Sequence, residues 1–126
     1  MKVYGIANCT TVKKARAWLD EHGVDYTFVD FKKAPPNEAQ LRRWTRSLGW
    51  EQVLNRRGTT WRTLSSQAQA RIADEGSAIA AMLAQPSLIK RPVVETGNRI
   101  LIGFDADAYR GLPAAPASAK GRVRGV

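Results

Sequence analysis

The chain has a single cysteine and a single histidine among its 126 residues. One thiol cannot close an internal disulfide, so nothing in the sequence asks for an oxidising compartment. One Cys and one His are also too few for a Cys/His metal site. No apolar run approaches the length needed to span a membrane, and Met1-Lys2-Val3-Tyr4-Gly5 reads as the start of a strand rather than a signal peptide. These absences set the expectation of a cytoplasmic protein with no metal, no bound cofactor and no membrane segment. Internal repeats are also lacking, and the length suits one domain around a single core.

What the chain does have is positive charge, a formal +9. Lys120, Arg122 and Arg124 carry three of those charges, leaving +6 spread over residues 1–111. A basic surface of this kind favours anionic substrates and acidic partners, nucleic acid or a polymerase among them.

Hydrophobic spacing organises the rest. Lys2 to Ile6 reads as a buried strand, and Val12, Ala15, Trp18 and Leu19 fall on one face of a helix ended by Gly23. Tyr26 to Phe31 is rich in aromatic and β-branched residues and reads as a second strand, which makes the opening a parallel β-α-β crossover. Beyond Pro35-Pro36, Asn37 and Gln40 have the spacing of a capping box ahead of a helix with Leu41, Trp44 and Leu48 on its stripe. Trp50 to Asn55 reads as a further helical turn, with Arg56-Arg57-Gly58 as an exposed loop. Ser66 to Ala84 reads as helix with a break at Gly76, with Ile72, Ile79, Met82 and Leu83 turned inward. Val93–Glu95 and Arg99–Phe104 read as strands joined by Thr96-Gly97-Asn98. Asp105 is placed to cap a last short helix through Tyr109. The order implies an α/β domain over residues 1–111. Its four-stranded mixed sheet is built from about 1–34 and 87–111, and a helical insertion fills about 35–86. Residues 112–126 read as a flexible basic tail.

Cys9 falls between the first strand and the first helix, where open N–H groups and the helix dipole favour a thiolate. Lys13, Lys14 and Arg16 occupy the first half of that helix, and Asp20 and Glu21 the second. That order is unfavourable for the helix itself and suits an anion at its start. Each feature also has a plain structural reading. A lone cysteine is often a small core hydrophobe, and a charge run is often a solvated face. Arg91-Pro92 can be an ordinary strand start, and Arg56-Arg57 an ordinary basic loop. His22 lies at the far end of the helix from Cys9, too distant to act as its base.

Tyr4-Gly5-Ile6-Ala7-Asn8-Cys9, Lys13-Lys14-Ala15-Arg16 and Ile89-Lys90-Arg91-Pro92 together resemble the arsenate reductase / Spx / YffB-like family. Leu54-Asn55-Arg56-Arg57-Gly58-Thr59-Thr60-Trp61-Arg62 is most similar to its YffB-like branch, and the resemblance runs in order over residues 2–110. It implies a thioredoxin-like fold with an inserted helical subdomain, and a cis proline at Pro92. It makes Cys9 the nucleophile and Arg91 the arginine that stabilises its thiolate and a bound oxyanion. Arg57 or Arg56 lies near a second oxyanion-binding arginine, with Asn55 as the alternative alignment. A third arginine of arsenate reductases falls at Gly103. Their hydroxyl residue three positions after the cysteine falls at Val12, the same position as the second cysteine of the Spx switch.

With no second cysteine, a resolving thiol must come from glutathione or a glutaredoxin. The resemblance thus implies a glutathione-dependent monothiol reductase acting on a small anionic or disulfide substrate. Glutathione would be the co-substrate, and Lys13, Arg56, Arg57 and Pro92 would line the binding groove. Arsenate reduction is the alternative enzyme reading. A Spx-like regulator that binds RNA polymerase without chemistry is the alternative from another class. A monomer is expected.

Overall fold

The structure, a computed structural model, describes residues 1–97 and 99–113. In chain order the elements are β1 (Lys2–Gly5), α1 (Thr10–Glu21), β2 (Thr27–Asp30), α2 (Glu38–Leu48), α3 (Trp50–Val53) and α4 (Thr59–Thr63). Then follow α5 (Ser66–Arg71), α6 (Glu75–Ala84), a 3-10 turn (Pro86–Leu88), β3 (Val93–Thr96), β4 (Arg99–Ile102) and α7 (Ala106–Tyr109). The chain divides into two compact units, Met1–Ala34 with Arg91–Val126, and Pro35–Lys90.

The first unit holds a four-stranded mixed sheet in the order β2-β1-β3-β4. β1 and β2 run parallel with Val3 opposite Phe28, and β3 is antiparallel to β1 with Val94 opposite Val3. β4 is antiparallel to β3. The α1 stripe of Val12, Ala15 and Leu19 is fully buried and joins Val3, Phe28, Val94 and Tyr109 in one core. Gly5 is required by this packing: a Cβ there would lie 2.8 Å from Cγ2 of Val12, inside van der Waals contact. Gly23, with φ +68°, supplies the left-handed stop after α1.

The second unit is helical. Asn37 and Gln40 form the expected capping box at the start of α2: the Asn37 side chain accepts the Gln40 N–H at 2.8 Å, and Gln40 Oε1 accepts the Asn37 N–H at 3.3 Å. Leu41 and Trp44 on α2 are fully buried. Buried Ala78, Ile79 and Met82 line α6, which packs against α2.

Several details depart from the sequence reading. The Ser66–Ala84 helix breaks at residues 72–74 rather than at Gly76, because Asp74 forms a capping box with Ser77 and starts a new helix there. Gly76 sits inside α6. Leu83, expected to face inward, is 39% exposed, at the margin of the α6 face that buries Ala78, Ile79 and Met82. The short α4 carries no apolar periodicity and was not anticipated. Leu112, assigned to the tail, is buried in the first unit's core. The remainder of the expected tail, residues 114–126, and Asn98 of the expected hairpin turn lie outside the described residues. No helix among the described residues is long and apolar enough to cross a membrane.

Candidate functional site

Sheet register brings the two ends of the chain together. Tyr4 pairs with Val93, so Arg91 and Pro92, just ahead of β3, lie beyond the end of β1 from which the chain runs on to Cys9. The Cys9 N–H donates to the Ile6 carbonyl at 3.1 Å, closing the turn out of β1. Cys9 is then the N-cap residue of α1, in extended conformation, and its carbonyl accepts the Lys13 N–H at 2.9 Å. The thiol is half-buried against the core.

Opposing influences act on that sulfur. Burial raises its pKa by penalising the thiolate. The Val12 N–H, the Arg91 side chain, the Thr11 N–H and the Arg91 charge all lower it, and together they outweigh the burial. The net effect is a thiol held below its ordinary pKa. α1 has no acid in its first turn to oppose this, and no base in its last. The helix start is therefore kept positive at some cost to the helix itself.

The peptide between Arg91 and Pro92 is cis, as the resemblance implies. Pro92 is buried, and its carbonyl accepts the Gly103 N–H at 2.8 Å. Gly103 occupies the position where the resemblance puts a third arginine. Its φ of +75° disfavours any L side chain, and its carbonyl accepts the Tyr109 hydroxyl at 2.8 Å. Burial, and after it the Asp105 charge, pushes the Tyr109 phenol up in pKa, so it stays a neutral donor. Val12 is wholly buried in the core, so the position where the resemblance puts a hydroxyl residue or the second cysteine of the Spx switch is given to packing.

Of the sequence-predicted residues, Cys9, Lys13, Arg91 and Pro92 belong to the first unit, and Lys13 is exposed on α1. Arg56 and Arg57 belong to the second. Arg56 lies 5.4 Å over the Trp50 ring and 6.0 Å from that of Trp61, with Glu51 3.7 Å from its guanidinium. The Arg57 N–H donates to Asn55 Oδ1 at 3.1 Å, and its side chain is exposed. Asn55 covers Gly58 so closely that a Cβ there would lie 2.7 Å from its Nδ2. His22 is stacked on Trp18 at 3.7 Å between ring centres, at the C-cap of α1.

Arg16 has a part the sequence reading missed. Its guanidinium lies 4.1 Å over the Phe28 ring, and its Nε donates to the Tyr26 hydroxyl at 3.2 Å. The signal that could have found it is the Tyr26-Thr27-Phe28 alternation, which turns two aromatics to the same face of a strand.

Comparison with known proteins fits this arrangement. The protein of solved structure named YFFB is 54% identical, with 86% of this chain and 95% of that one aligned and a TM-score of 0.83. An arsenate reductase (ArsC) related protein from Brucella melitensis is 46% identical over 88% of this chain and 94% of its own, with a TM-score of 0.71. The global transcriptional regulator Spx of Streptococcus agalactiae is 28% identical over 106 residues, 82% of this chain and 75% of that protein. The fold is thioredoxin-like, as in these neighbours. The model of the ArsC family matches residues 4–112, nearly the whole described chain, and the protein belongs to that family.

Proposed function

We propose that the protein is a monothiol reductase that uses glutathione to reduce mixed disulfides, with Cys9 as nucleophile. The supporting observation is the half-buried thiol at the α1 N-cap, lowered in pKa by the Val12 and Thr11 N–H groups and by Arg91 against the cost of burial. The Cys9 thiolate attacks the glutathione sulfur of a mixed disulfide, forming a Cys9–glutathione disulfide and releasing the substrate thiolate, which takes a proton from water. A second glutathione thiolate attacks the glutathione sulfur of that intermediate. Oxidised glutathione leaves and the Cys9 thiolate is restored, so one disulfide is exchanged for another: the substrate sulfur is reduced to the thiol as the sulfur of the attacking glutathione is oxidised. Arg91 and the helix start hold the thiolate in both its attacking and leaving roles.

Arsenate reduction needs dense positive hydrogen bonding around a tetrahedral oxyanion. Gly103, where the family's arsenate reductases carry an arginine, weakens that reading.

The test is the pH dependence of Cys9 alkylation in the folded chain, in urea, and in Arg91→Ala. The expected midpoint lies below the ordinary thiol value of about 8.5, rises in Arg91→Ala and returns to the ordinary value in urea. Turnover of a glutathionylated peptide with glutathione should vanish in Cys9→Ser. A folded midpoint at or above the ordinary value, or no turnover by the parent chain, would sink the reductase reading. Capture of polymerase subunits unaffected by Cys9→Ser would then favour a Spx-like interaction role, and arsenate turnover with glutathione and glutaredoxin would reverse the ranking of the two enzyme readings.

A further inference from the structure

β2 is an edge strand, and one of its edges is turned away from the sheet. The Thr27 N–H donates to the Met1 carbonyl at 3.0 Å and the Phe31 N–H to the Gly5 carbonyl at 2.8 Å, both on the β1 side. By strand alternation, the backbone N–H groups of Phe28 and Asp30 and the Phe28 carbonyl face the opposite way. The Asp30 carbonyl is taken by the Lys33 and Ala34 N–H groups at 3.0 and 2.8 Å.

That outward edge lines a cleft of about 440 Å³. All four β2 residues form one wall, and Ala7, Arg16, Lys33 and Ala34 form the rest. The volume is that of a ligand site, and a four-residue edge is about 13 Å long. The lining carries two cations, Arg16 and Lys33, against one carboxylate, Asp30. Arg16 is steadied by its stacking on Phe28, Lys33 is exposed, and Asp30 Oδ1 is occupied by the Lys32 N–H at 2.8 Å. The Asp30 end of the strand, opposite Gly5, is the end nearest Ala7. Only Asn8 stands between Ala7 and Cys9, so their Cα atoms are no more than about 7 Å apart.

We propose that this edge is a docking site for an extended acidic polypeptide segment, which adds as a further strand beside β2. Main-chain bonds to Phe28 and Asp30 supply the pairing, and carboxylates of the segment meet Arg16 and Lys33. A second copy of this chain is the poorer occupant, because the chain itself is strongly basic. A short edge flanked by cations also resists indiscriminate pairing, and the cleft is what distinguishes a seat from a guarded edge. Binding there needs no reaction at Cys9, so it stands or falls apart from the reductase reading.

The test uses the full chain carrying Cys9→Ser and an acetylated eight-residue peptide of alternating valine and glutamate, followed by amide NMR shifts. Saturable shifts are expected at Thr27 to Asp30. A peptide with lysine in place of glutamate should bind at least about tenfold more weakly, and Lys33→Glu should weaken the acidic peptide at least about fivefold. The acidic peptide is also made in its two alternate patterns of backbone N-methylation. One pattern should weaken binding at least about tenfold while the other retains it, since only one edge of an added strand pairs. No saturable shift at β2 up to about 1 mM peptide, equal binding of the two methylated patterns, or equal binding of the lysine peptide would each overturn the proposal. So would sedimentation showing a dimer whose formation shifts the same β2 amides without peptide.

Discussion

At the scale of single residues, Cys9 is the point where packing and charge pull in opposite directions. Burial against the core favours the neutral thiol, while Val12 and Thr11 N–H groups and Arg91 favour the anion and prevail. A group whose pKa is lower folded than unfolded adds stability that is complete above the unfolded value and is lost as pH falls through the folded one. The stability advantage of the parent chain over Cys9→Ser should therefore grow with pH and level off above about 8.5. Urea midpoints measured from pH 6 to 9.5 check this, and a flat difference would mean that Arg91 and the helix start do not act on the sulfur. That Cys9 begins a helix was legible from local spacing. Its pairing with Arg91 was legible only through the family resemblance, because register between β1 and β3 joins residues that no local pattern connects.

Among the elements, α1 and α2 show two uses of a helix start. α1 leaves its first turn without an acid and keeps its positive end for the sulfur. α2 closes its start with the reciprocal Asn37–Gln40 capping box and an acid, Glu38, in its first turn. Asn37→Ala should destabilise the fold by about 1 kcal/mol, the usual value of a lost N-cap, without altering the alkylation midpoint of Cys9. Chemical denaturation checks the first part and alkylation the second. The α2 start could be read from four residues because cap chemistry is local. The break at 72–74 was misplaced because Gly76 is a louder signal in sequence than Asp74, although the aspartate's cap with Ser77 decides the boundary. α4, built from Thr59-Thr60-Trp61-Arg62-Thr63, has no apolar stripe to read. Its placement rests on contacts such as the Thr60–Ser87 hydroxyl pair at 2.7 Å.

For the molecule as a whole, the +9 charge sets self-repulsion against local ion pairs. The pairs of Arg42 with Glu38 and Glu75, of Arg46 with Glu75 and of Arg110 with Asp107 are largely surface contacts. Such contacts contribute at most about 1 kcal/mol each. Salt screens both effects, and at this net charge the repulsion is the larger one. Raising sodium chloride from about 10 to 150 mM should lift the melting temperature by roughly 2–5 °C. A fall measured by calorimetry would show that the ion pairs dominate instead. The mixed sheet, its β-α-β opening and its closing hairpin strands were legible at this scale because short runs rich in β-branched and aromatic residues, bounded by turn residues, marked the strands. Leu112 escaped because a single apolar residue among Gly, Pro and Ala looks like tail, and only its burial beside Tyr109 shows that it belongs to the core.

The neighbouring placement of β1 and β3 has a bearing on the protein's synthesis. Cys9 leaves the ribosome well before Arg91, whose side chain helps lower the pKa of its thiol: Arg91 and the strand it leads into follow more than eighty residues later. A nascent chain ending before residue 91 carries Cys9 without that guanidinium, so the Arg91 share of the lowered thiol pKa is acquired only after residue 91 has been made and β3 has paired with β1.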